Sequence, residues 1–123
     1  MNKKYVQGIM AASLLISCSG AFAAGAWATG KITKTMVHTD PNEGYGKCMV
    51  LLSPEFDRTN LRCNESPWIT LDCTGHFNSK EDARRMWDSA QLAFALDLKV
   101  TIRVVDHQMI NEQCVAKRLD VLK

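Results

Sequence analysis

Four cysteines, Cys48, Cys63, Cys73 and Cys114, fall within residues 24–123 of this chain. An even set in so short a stretch reads as two disulfides, the cross-links a small exported domain uses when its core is limited. No C-x-x-C pair occurs, and His38, His76 and His107 stand far from any metal-ligand spacing. The cysteines therefore point to a stapled fold and not to a zinc site, and no cofactor is expected.

The fifth cysteine, Cys18, belongs to a different kind of segment. Lys3 and Lys4 precede a mostly apolar stretch, Val6–Ser17, and Ala21-Phe22-Ala23 follows. A basic start, a short apolar run and small residues at the two positions a signal peptidase reads make a secretory signal peptide. The run is too short to cross a bilayer, which takes roughly twenty apolar residues, so no transmembrane segment is expected. Cleavage after Ala23 would leave Ala24–Lys123 as one secreted or periplasmic domain. Leu15-Ile16-Ser17-Cys18 also fits the lipoprotein pattern, with Cys18 as a lipidated first residue, and competes with that site.

Charge narrows the partners. The chain has 15 basic and 13 acidic residues; without Lys3 and Lys4 the balance is 13 against 13. No basic excess remains to bind nucleic acid or anionic lipid by counterion release.

Along the chain, Ala24–Gly30 reads as a short lead-in anchored by Trp27. Ile32–Thr39 is rich in β-branched residues and reads as a first strand. Asp40–Gly44 has turn chemistry, and a second strand is expected at Gly46–Leu52. A third lies within Leu61–Cys73, interrupted at Pro67, which cannot donate to a ladder. Ser79-Lys80-Glu81-Asp82 resembles a capping box, and Ala83, Met86, Trp87, Ala90 and Phe94 recur on one helical face. Leu98–Val104 then alternates apolar with polar residues, and Cys114–Leu122 makes a fifth strand.

The cysteine pairing has three solutions. A hairpin closing around Glu55–Phe56 would set Cys48 opposite Cys63, within bridging range of about 5 Å. That geometry favours Cys48–Cys63 and leaves Cys73–Cys114 as a long-range bridge.

Three strands, a helix and two strands is the order of a five-stranded OB-fold barrel, mainly β with one helix as plug. A mixed sandwich or an α+β layer fits the same order, because order does not fix pairing.

Several landmarks carry a resemblance. They are Trp27-Ala28-Thr29-Gly30 before a strand ending at His38-Thr39, Cys48 after the turn, Cys63, Trp68 ahead of the helix, and the spacing of Ala90, Val100 and Ile102. In these the chain resembles the B subunits of the pertussis- and subtilase-type bacterial toxins, over most of Trp27–Ile102. The resemblance implies an OB-fold, a homopentameric ring, binding of cell-surface glycans and a separate catalytic A subunit. The chain departs from that pattern where a pocket Ser stands near the first strand of the B subunits. Here Gly30 and its neighbours occupy the place. The segment between Trp68 and the helix is also longer.

Candidate ligand contacts are Trp68, an aromatic on an irregular strand able to stack on a sugar face, and Tyr45, between two glycines at a turn tip. Packing in the barrel competes for Trp68, and folding back on the strand competes for Tyr45. Trp87 belongs to the helix's apolar face. Asp40, Asp72, Asp97 and Asp106 fall at strand ends or turns, and no nucleophile or acid stands in a catalytic context, so no enzyme is expected. Arg84, Arg85, Lys117 and Arg118 are read as solvated charge. The expectation is an exported binding protein, either a glycan-recognising ring or a monomeric OB-fold protein-interaction module without a sugar site.

Overall fold

The computed structural model describes residues 24–42 and 44–123. The expected signal peptide with its Cys18 alternative, and Glu43, lie outside the described residues. Five strands and one helix follow in the expected order: β1 (Gly25–Val37), β2 (Cys48–Ser53), β3 (Ile69–Thr70), α1 (Lys80–Ala95), β4 (Lys99–Ile110) and β5 (Gln113–Leu122). Among the described residues no helix is long and apolar enough to cross a membrane.

The strands close on themselves in the order β1-β2-β3-β5-β4, with β4 returning to β1. All pairings are antiparallel except β3 with β5. Closure depends on β1. Its first half pairs with β4 and its second half with β2, and Lys31 faces both Lys99 and Ser53 at the handover. The register shifts between Ile32 and Lys34, the kind of bulge that bends a strand from one sheet into the next. Gly30 is required there, since a Cβ would lie 2.7 Å from the Ser53 carbonyl oxygen.

The expected lead-in is therefore the first half of β1. Its small residues hid it: Ala26, Ala28 and Gly30 alternate inward with almost no side chain, where Ala90 and Ala93 of α1 press against the core. Trp27 is not an anchor. It points outward and is 52 % exposed.

Val50, Leu52, Ile69, Leu71, Val100, Ile102 and Val104 fill the interior. Each such buried side chain contributes about 1.5–3 kcal/mol relative to exposure. α1 begins as its capping box requires, with Ser79 Oγ accepting from the Asp82 N–H. It ends where Asp97 takes a left-handed φ of 53°. Ala83, Ala90 and Ala93 are its buried residues, Met86 and Trp87 pack half-buried against the core, and Phe94 is exposed.

The hairpin around Glu55–Phe56 does not form. The strand returning to β2 is delayed to Ile69–Thr70, which face Val50 and Met49. Residues 54–68 are irregular because turn chemistry fills them. Asp57 Oδ1 accepts from the Thr59 N–H, Arg58 O accepts from the Leu61 N–H, and few β-branched residues resist. The disulfides are accordingly Cys48–Cys73 and Cys63–Cys114, with Cα separations of 5.6 and 5.2 Å. This overturns the pairing of Cys48 with Cys63. Leu71, not Cys63, donates its N–H to the Cys48 carbonyl, which brings the chain back beside Cys48 just before Cys73.

Candidate functional site: a cleft where three loops meet

The loops β1–β2, β3–α1 and β4–β5 converge at one end of the ring and enclose an open cleft of about 500 Å³. Each loop is held there by identifiable chemistry. In the first, Asp40 accepts from the Asn42 N–H at 2.8 Å. Gly46 and Lys47 are consecutive left-handed residues, with φ of 76° and 68°. Only glycine fits at 46, since a Cβ would fall 2.2 Å from Thr70 Oγ1. That hydroxyl donates to the Tyr45 carbonyl at 3.0 Å and accepts from the Asp72 N–H at 3.1 Å. It stitches the first loop to the second.

The β3–α1 loop is organised by one carboxylate. The Asp72 side chain is fully buried. Its Oδ1 accepts from the Thr74 hydroxyl and the His76 N–H, at 2.9 and 3.0 Å. Its Oδ2 accepts from the N–H groups of Phe77 and Asn78, both at 2.6 Å. Burial alone would raise the carboxyl's pKa, but the four donors together outweigh it and hold it below its ordinary value. Lys117 Nζ donates to Asn78 Oδ1 at 2.8 Å and to the Phe77 carbonyl. Burial lowers the lysine's pKa, and the charge of Asp72 opposes that shift. The third loop is a tight turn in which Asn111 and Glu112 both take positive φ, as a type I′ hairpin demands.

Asp40, Lys47, Thr74, His76 and Asn111 give the cleft a carboxylate, an ammonium, a hydroxyl, an imidazole and an amide, with Ile110 as apolar wall. Such a set offers hydrogen bonds of both senses around a small polar ligand. Among the described residues no three His, Cys, Asp or Glu side chains gather as a metal-ligand set.

The two aromatic candidates stand apart from these walls. Tyr45 is half-buried, and its ring meets His38 edge-on at 5.8 Å, although its neighbours Gly44 and Gly46 line the cleft. Trp68 is half-buried just ahead of β3, with its N–H donated to Ser66 Oγ. Lys47, His76 and Asn111 were not singled out for binding from sequence, because only the closed topology brings their loops together.

The basic residues also separate. Arg85 pairs with Glu81 along the helix, and Lys117 turns to the β3–α1 loop. Arg118 donates to Asp120 Oδ1 at 2.9 Å, and this bond and charge raise its pKa. Its guanidinium lies 5.7 Å from the ring centroid of Trp27. Arg103, opposed to both Trp27 and Arg118 in register, completes an outward row across β1, β4 and β5. The chain matches no protein-family model, no curated protein and no solved structure.

Proposed function

We propose that this is an exported OB-fold binding protein similar to the B subunits of pertussis- and subtilase-type toxins, and that the three-loop cleft takes a cell-surface glycan. The observation that carries this reading is the cleft's position. In a five-stranded ring with a helix between the third and fourth strands, the β1–β2 and β4–β5 loops are where OB-folds take oligosaccharides. The mixed donors and acceptors of the cleft suit sugar hydroxyls. Two disulfides fit an oxidising compartment.

Assembly as a homopentamer serving a separate A subunit is part of the same proposal. Leu92 on α1 and Leu96 just past its end, 56 and 59 % exposed, offer apolar surface for it. β5, which beyond Val115 pairs among the described residues with β4 alone, offers a strand edge. Light scattering coupled to size exclusion tests the ring: a mass near five protomers supports it, and a monomer at micromolar concentration removes it. A glycan array on the native protein and on Asn111→Ala tests the cleft. Binding lost in the variant supports the proposal, and equal binding by both rejects the cleft as its site.

The outward row of Trp27, Arg103 and Arg118 favours a second reading, a monomeric module that binds protein, because exposed Trp and Arg dominate protein interfaces. A monomer that is silent on the array and captures a partner only when Trp27 is intact would support this second reading.

A further inference from the structure

Asp106 lies on β4 and is only 2 % exposed. Its Oδ2 accepts from the Arg62 N–H at 3.0 Å, but its Oδ1 is buried with no hydrogen-bond partner. Two residues further along β4, Gln108 leaves Oε1 buried and unpartnered in the same way. Arg62 and the neighbouring His107 are exposed, and among the described residues no cationic side chain pairs with this carboxylate. A buried acid so placed is costly unless a cation meets it.

Across the sheet from Asp106 stands the start of β1. Asp106 donates its N–H to the Ala24 carbonyl at 3.1 Å, one step beyond the Gly25–Val105 pair. Directly opposed residues of this kind hold their Cβ atoms about 4.5–5.5 Å apart, which sets Ala24 beside the Asp106 side chain. Ala24 is also the residue that signal-peptidase cleavage after Ala23 would leave first.

We infer that hydrolysis of the Ala23–Ala24 bond creates the missing partner, the α-ammonium of Ala24, which binds the Asp106 carboxylate and locks β1 onto β4. Water adds across the peptide bond, leaving a carboxylate on Ala23 and an amine on Ala24 that takes up a proton. The bonded amide of the precursor has one N–H, whereas the ammonium has three. One can serve the main chain, and two remain for Asp106 Oδ1 and Gln108 Oε1. The lock therefore belongs to the processed chain alone, and the fold is completed by export. The inference rests on the cleavage site read from the sequence and is independent of what the cleft binds.

The test expresses the full chain in an exporting bacterium, purifies the released protein and reads its first residue by mass spectrometry. The α-amine is then labelled by ¹³C reductive methylation and titrated by NMR. The inference expects Ala24 first and an α-amine midpoint raised about one unit, a tenfold change in proton affinity, above the ordinary value near 8. Asp106→Asn should return the midpoint to the ordinary value. One glycine inserted ahead of Ala24, which moves the amine away while keeping the acid, should do the same if the asparagine variant does not fold. A first residue other than Ala24 overturns both the cleavage reading and the lock. Ala24 first with an ordinary midpoint overturns the lock alone.

Discussion

Two irregular segments flank β3, and they are held by different means. Residues 54–68 are tied to the ring by the Cys63–Cys114 bond and by the Arg62 N–H on Asp106, while their internal contacts sit at the surface. Residues 71–79 also contain a bridged cysteine, but four donors converge there on the buried carboxylate of Asp72. Each segment has an aspartate whose carboxyl is held below its ordinary pKa. Asp57 achieves this with the side chain and N–H of Thr59 in full contact with solvent. Asp72 does so in the interior, where each hydrogen bond counts for more. Both segments thus depend on a disulfide, and the second depends in addition on a buried carboxylate that acid would neutralise.

The largest effect should come from the covalent side. Replacing Cys63 and Cys114 together with serine is expected to cost about 2–5 kcal/mol in urea unfolding. The cost for Cys48 and Cys73 should be somewhat smaller in the chain-entropy model, since that bond closes 25 residues against 51. A larger loss at Cys48–Cys73 would break the contrast.

Asp72→Asn should cost about 2–3 kcal/mol, because an amide N–H₂ then faces N–H donors with no acceptor between them. The same residue sets the acid response. Its folded pKa lies below the ordinary value of 3.8, so its stabilisation is fully present above that value and is lost as pH falls through the folded pKa. Urea midpoints taken from pH 5 to pH 2.5 should fall more steeply for the native chain than for Asp72→Asn. Parallel curves would show that the carboxylate is not what holds the segment.

Gly46→Ala sharpens the comparison at the contact between loops. With φ at 76° and Thr70 in the way, it should cost at least about 1 kcal/mol and loosen the Thr74 N–H from the Gly46 carbonyl. Hydrogen exchange at Thr74 reads that loosening directly. The smallest change is expected from Arg58→Ala, which removes a surface ion pair with Glu55 and a contact over Phe56, at about 0.5–1 kcal/mol. A cost above that range would mean that the first segment depends on its own side chains as well as on its disulfide.

The contrast also explains what could be read from residues alone. The helix, its Ser79 cap and the alternation in β4 depend on local periodicity, and they were legible; β5 was located although Lys117 and Arg118 break its alternation. The first half of β1 was not, because Ala26, Ala28 and Gly30 are small for the sake of a close helix and carry no strand signature. Cys63 misled because Ser53–Arg58 reads as a turn between two strand-like runs, and that suggests a hairpin. Here the return strand waits until Ile69. The cleft was illegible for a different reason: Asp40, His76 and Asn111 belong to three loops that only ring closure brings together. Asp72 was read as an ordinary turn aspartate, and nothing local signals that four donors converge on it.

The two disulfides interleave along the chain, each bridge enclosing one end of the other. A single peptide-bond break anywhere from Cys48 to Cys114 therefore leaves the pieces covalently joined. Residues 54–68, an irregular stretch with exposed residues between the buried Phe56, Leu61 and Cys63 where a protease could cut, fall wholly inside that protected span. A protein built this way can be nicked and still remain one molecule, and only a reductant would release the halves.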